Sequence, residues 1–105
     1  MEFKKVQYIV FEEYVKNGFC SYWNDALNKT MADLAELGLI TTEISEAMEL
    51  VRDKDYSIDF EHELADIIIR TLNISTRLGI DIEEAILLKN RLNNNRPEKH
   101  GRKGI

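Results

Sequence analysis

Residues 41–50 read TTEISEAMEL and residues 60–70 read FEHELADIIIR. Each stretch carries two acids three residues apart, Glu43 with Glu46 and Glu63 with Asp66. On a helix that spacing sets both carboxylates on one side. The polar link between them, RDKDYS at 52–57, has the length that folds one helix back against the next. The two pairs can then face each other across a space lined by four carboxylates. Such a group does not stay ionised in a half-buried cleft without a counter-charge. A hard divalent cation, Mg2+ or Mn2+, is the expected one, because carboxylate oxygens are its preferred ligands.

Working outward, the helix that carries the first pair starts near Asp25 or Asn28 and ends near Arg52. Its apolar side reads Leu37, Ile40, Ile44, Ala47 and Val51, which places Glu43 and Glu46 at the margin of the stripe, beside Leu39 and Leu50. Gly38 lies inside this helix, where it costs about 1 kcal/mol relative to Ala and marks either a close approach or a bend. The second pair belongs to a helix from about Ile58 to Leu78, with Phe60, Leu64, Ile67, Thr71, Ile74 and Leu78 on its apolar face. Glu63 adjoins that face and Asp66 lies just outside it. Arg70, one turn after Asp66, is placed to pair with it or steady it.

A shorter helix precedes these two, from about Phe3 to Lys16, with Phe3, Val6, Val10 and Tyr14 at helical spacing and Asn17-Gly18 as its stop. Residues 19–24 form a loop with Phe19, Tyr22 and Trp23, rings that either cover the end of a small core or line a pocket for a flat ligand. After the long helices, RLGIDIEEAI at 77–86 reads as a stop at Gly79 and a restart capped by Asp81, with Glu84 three residues on. The last helix carries Ile82, Ala85, Ile86 and Lys89 and frays near Asn93 to Asn95; the rest, to residue 105, is a polar, basic tail. The expectation is one all-α domain spanning 1–105, a thin four-helix bundle. Its apolar faces are broader than the chain can cover, so a homodimer is expected to complete it.

Composition narrows the function. A net charge of −5 argues against a nucleic-acid partner, which needs a basic face. One cysteine, Cys20, and two histidines make a structural zinc site improbable. The N-terminal stretch carries acids where a signal peptide needs an apolar core, and no apolar run is long enough for a bilayer, so the expectation is a cytoplasmic protein with no membrane partner. Four carboxylates on a hard cation suit phosphoryl or nucleotidyl hydrolysis. The cation binds few protein oxygens and leaves positions for water and phosphate. A carboxylate not used as a ligand can take the proton of the attacking water. Lys89, Arg96, Lys99, Arg102 and Lys103 supply cations for the substrate phosphates.

The order Glu43-x-x-Glu46, Glu63-Leu64-Ala65-Asp66, LGIDIEEAILLK at 78–89 and NNNRPEKHG at 93–101 resembles the MazG-like nucleotide pyrophosphohydrolases of the all-α nucleoside triphosphate pyrophosphatase superfamily, over roughly Gly18 to Gly101. The resemblance implies an all-helical homodimer, or a pair of dimers, that hydrolyses nucleoside triphosphates between the α and β phosphates, clearing non-standard or excess deoxynucleotides. It implies Mg2+ held by Glu43, Glu46, Glu63 and Asp66, phosphate contacts from Lys89, Asn93 and Arg96, and a base pocket involving Trp23 and Phe19. The family usually writes its first motif Glu-Glu-x-x-Glu; here Thr42 takes the first place, and the two acids expected to hold metal remain. Two alternatives accompany this reading. One is a non-catalytic helical dimer that binds nucleotide or a protein partner. The other is phosphoribosyl-ATP pyrophosphohydrolase, an enzyme of the same superfamily.

Overall fold

A computed structural model describes residues 2–18 and 26–95, without the side chains of 26–28. It contains four helices: α1 Phe3–Lys16, α2 Ala26–Arg52, α3 Ile58–Arg77 and α4 Ile82–Asn94. No strand occurs among the described residues, so the all-α expectation holds. None of the described helices is long and apolar enough to cross a membrane.

The helix ends follow local chemistry. Gly18, at φ 80°, closes α1. Both long helices end in the same paired hydrogen-bond motif. At α2, the Lys54 N–H donates to the Val51 carbonyl at 2.9 Å and the Asp55 N–H to Leu50 at 2.8 Å. At α3, Gly79 donates to Thr76 at 3.0 Å and Ile80 to Ser75 at 2.8 Å. The motif needs a left-handed residue. Gly79 supplies it at φ 73°, whereas Lys54 adopts φ 56° against its own Cβ. Ser57 then starts α3, its hydroxyl accepting from the Asp59 N–H at 3.3 Å. Asp81 starts α4 as the sequence suggests, accepting from the Glu84 N–H at 3.1 Å.

α3 is the central element. It packs along α2 on one side and α1 on the other, and touches α4 only marginally. Of the apolar face read from the sequence, Phe60, Ile67 and Thr71 are half-buried and Ile74 is buried, and the double contact changes the rest. Leu72, Asn73, Ile74 and Ser75 are buried in succession, while Leu64 and Leu78 are exposed. A helix covered on two sides does not keep a single stripe of period 3.6.

The face of α2 is corrected too. The residues turned toward the core are Ala32, Glu36, Glu43 and Ala47, all buried, with Ile40 and Leu50 half-buried between and after them. Leu37, Ile44 and Val51, expected inside, are 41–51% exposed. The two glutamates hold core positions because α3 offers an arginine opposite each. Arg77 Nε donates to Glu36 Oε1 at 2.8 Å, and its Nη2 forms ion pairs with the same oxygen at 2.8 Å and with Asp33. Arg70 Nε donates to Glu43 Oε1 at 3.4 Å. These are two rungs of one antiparallel ladder, seven residues apart on each helix.

On α1 the centre of the packed side is Gln7 rather than Val6, which is exposed. The Gln7 amide donates to the Thr76 hydroxyl at 2.8 Å and toward the Ile80 carbonyl at 3.4 Å, tying α1 to the end of α3. Lys4 pairs with Asp81 at 3.2 Å and so links α1 to the start of α4.

Gly38 makes no close approach: a Cβ built there meets nothing within 4 Å. Gly38→Ala is therefore expected to stabilise the chain by about 0.5–1 kcal/mol, read as a rise in the denaturation midpoint with unchanged slope.

Candidate metal centre

The antiparallel turn between α2 and α3 brings the acidic stretches together. Carboxylate oxygens of Glu43, Glu63 and Asp66 all lie within 4.8 Å of one another. Glu43 is only 8% exposed, and Glu63 and Asp66 are half-buried. Glu46 stands outside this triad, exposed, where its carboxyl group shares a hydrogen bond with Glu63. Three of the four expected ligands thus converge, and the fourth is their neighbour.

The electrostatics record the crowding. The Glu63 carboxyl is pushed up from 4.5 to about 7, first by the hydrogen bond with Glu46, then by burial and by the hydrogen bond with Glu43, and last by the charges of both. Arg70 is the cation that meets the cluster directly. It does so through Glu43 on the facing helix, not through Asp66 one turn before it, as the sequence suggested. One guanidinium is too little charge for four acids.

The donor set fits a hard cation. It is all carboxylate oxygen, and no thiol or imidazole belongs to the triad. Thr42, next to Glu43, is exposed and turns its hydroxyl to the Gly38 carbonyl of its own helix at 3.2 Å, so it offers the centre nothing in this arrangement.

A pH effect follows. A carboxyl raised in the folded state binds a proton there that the unfolded chain has already lost between pH 4.5 and about 7. The cation-free protein therefore loses stability as pH rises through that window. Melting temperatures of the wild-type chain and of Glu63→Gln should diverge across it, with the wild type falling relative to the variant. Parallel curves would show that Glu63 titrates as an ordinary carboxylate.

Two hollows flank the triad. One, about 390 Å3, is lined by Glu46 and Glu63 together with Glu49, Asp53, Asp59 and His62. Of these, Glu49 is the next step of the i, i+3 series after Glu43 and Glu46, Asp53 follows it four residues on, and Asp59 and His62 precede Glu63 on α3. The other, about 400 Å3, lies between α1 and α3 and shares Asp66 and Arg70 with the centre; Asn73, unremarked in the sequence, belongs to its wall.

The expected phosphate contacts are placed apart. Lys89 and Asn93 line a third hollow of about 460 Å3 with Ile82, Ala85, Ile86 and Asn90, all from α4, and none of the four acids belongs to it. Arg96, Lys99, Arg102 and Lys103, and the aromatic residues Phe19, Tyr22 and Trp23 with Cys20, lie outside the described residues. Compared with known proteins, the chain matches no family model, no curated protein and no solved structure.

Proposed function

We propose that this chain is a Mg2+-dependent pyrophosphohydrolase that cleaves nucleoside triphosphates between the α and β phosphates, giving monophosphate and pyrophosphate. The observation that supports it most is the meeting of Glu43, Glu63 and Asp66 from two helices, with Glu46 hydrogen-bonded to Glu63 beside them. The sequence resemblance points to the same residues and names the bond. Glu43, Glu63 and Asp66 hold the cation, with Mn2+ as the substitute. Bound there, Mg2+ neutralises phosphate charge and acidifies the attacking water.

The protein groups divide the remaining work. Glu46, outside the triad and hydrogen-bonded to Glu63, takes the proton from that water. Arg70 fixes Glu43 across the helix pair, so that the acid cluster keeps its shape without substrate. The resemblance assigns the phosphates to Lys89, Asn93 and Arg96 and the base to Trp23 and Phe19; of these, Lys89 and Asn93 line a hollow apart from the four acids within one chain.

The chain works as a homodimer in this reading. Ile86, Leu87, Leu88 and Leu92 of α4 and Leu34, Leu37 and Met48 of α2 are all exposed apolar side chains, surface that a second copy would cover.

The test is incubation of the purified chain with Mg2+ and a panel of standard and modified nucleoside triphosphates. Release of monophosphate and pyrophosphate is expected. Release of orthophosphate and diphosphate would assign the wrong bond, and saturable binding without products would make the chain a nucleotide-binding module.

A further inference from the structure

The two rungs of the α2–α3 ladder are built differently. Arg77 is closed in: its side chain is 5% exposed and is held by Glu36 and Asp33 together. Arg70 is the loose rung. Its side chain is 36% exposed, and its Nε donates to Glu43 at 3.4 Å, longer than the usual range of roughly 2.7–3.2 Å. Among the described residues no second acid pairs with Arg70, and its terminal nitrogens donate to no described group.

The loose rung is the one that adjoins the metal centre. Glu43 belongs to the carboxylate triad, and Arg70 joins Asp66 in the wall of the α1–α3 hollow. Glu43 is buried, so in the cation-free chain its charge needs a partner, and Arg70 is the cation at hand. A divalent cation shared by the triad sets two positive charges on that same carboxylate. Arg70 then faces like charge across a bond that is already long, and its hold on Glu43 weakens. A phosphate is the matched alternative, because the guanidinium fork of N–H donors fits phosphate oxygens as well as carboxylate oxygens.

We infer that Arg70 is a displaceable counter-cation: it neutralises Glu43 in the cation-free chain, yields that carboxylate to the divalent cation, and turns its free donors to a phosphate of the substrate. The phosphate half rests on the pyrophosphohydrolase reading. The exchange at Glu43 rests on the contrast between the two rungs.

The exchange makes cation binding and the Arg70–Glu43 pair competitors, so each weakens the other by the same factor. Arg70→Gln removes the charge. Its affinity for Mn2+, measured by isothermal titration calorimetry, is expected to rise about three- to tenfold over the wild type. Its kcat/KM at saturating Mg2+, for a triphosphate that the wild type hydrolyses, is expected to fall about ten- to a hundredfold. A residue that only props Glu43 in place would lose cation affinity and activity together when removed, and that result overturns the inference. An unchanged Mn2+ affinity or an unchanged kcat/KM does so too. Arg70→Lys keeps the charge and should bind Mn2+ within about twofold of the wild type. Lys5→Ala removes an exposed charge of α1 and should leave Mn2+ affinity unaltered. A rise in either that matches Arg70→Gln overturns the exchange.

Melting gives a readout free of turnover. Without cation, Arg70→Gln should melt below the wild type, since Glu43 loses its counter-charge, and saturating Mg2+ should narrow the gap. A gap that widens with Mg2+ overturns the exchange.

The two readings fail separately. Hydrolysis by the wild type with no gain in Mn2+ affinity in Arg70→Gln removes the exchange and leaves the enzyme. If no triphosphate is hydrolysed, binding of pyrophosphate in the presence of Mg2+ takes the place of turnover. Weaker pyrophosphate binding by Arg70→Gln, with tighter Mn2+ binding, then supports the exchange without the enzyme. Equal pyrophosphate binding by both chains, or none by the wild type, overturns it.

Discussion

Asp66→Asn is expected to release nucleoside monophosphate about a hundred- to a thousandfold more slowly than the wild-type chain at saturating Mg2+. The argument begins with geometry. The Asp66 oxygen lies within 4.8 Å of those of Glu43 and Glu63, so the carboxamide replaces one of three oxygens close enough together to hold one cation. It keeps the shape of the side chain and removes its charge, and a neutral amide oxygen is a weaker ligand for a hard cation. The same change relieves repulsion among acids brought together by α2 and α3. The cation-free variant should therefore melt at a higher temperature while turning over more slowly, a trade of stability against activity seen where a site concentrates like charge. Loss of activity with loss of folding would point to a structural role instead. Glu61→Gln is the matched control, since Glu61 is an exposed acid on the first turn of α3 and belongs to neither the triad nor the acidic hollow. Its rate should equal that of the wild type.

The second large effect concerns the ladder that sets the register of α2 on α3. Arg77→Ala should cost about 3–5 kcal/mol, measured by urea denaturation at fixed protein concentration. The side chains of Arg77 and Glu36 are 5% and 7% exposed, so removing the guanidinium leaves a carboxylate buried against α3 with its counter-charge gone. That cost is a large part of the whole stability of a domain this size, roughly 5–15 kcal/mol. The complementary variant, Glu36→Leu with Arg77→Met, replaces both charges by apolar groups of similar size and should recover most of the loss. Comparable damage in both would mean that shape at this rung matters more than charge. The outcome bears on function, because Arg70 and Glu43 form the next rung and Glu43 is a member of the triad.

What the sequence made legible was mainly local. Asn17-Gly18, Gly79 and Asp81 announce helix ends through backbone chemistry that needs no tertiary information, and the structure ends or starts a helix at each. What it concealed depends on partners far along the chain. Glu36 and Glu43 count as polar in any hydrophobic pattern, so the stripe of α2 was drawn through Leu37, Ile44 and Val51. The true stripe runs through the glutamates, because arginines 27 and 41 residues away neutralise them. Gln7 was passed over for the same reason: its amide is satisfied by Thr76 and Ile80 at the other end of the fold.

The candidate site divides the same way. That the two acidic pairs face each other was readable from their spacing and the short link. Which three of the four converge was not, since that depends on the rotation of α2 against α3. The wall position of Asn73 was invisible, as nothing marks an asparagine inside an apolar run as a lining residue. The separate hollow of Lys89 and Asn93 on α4 likewise depends on how little α4 touches α3.

The most direct measurement is a Mn2+ titration of the 15N-labelled chain followed by NMR. Saturable broadening that begins at the backbone amides around residues 43, 46, 63 and 66, is competed by Mg2+ and is lost in Asp66→Asn is the expected result. Broadening that does not saturate, or that centres on another part of the chain, would contradict a shared cation between α2 and α3.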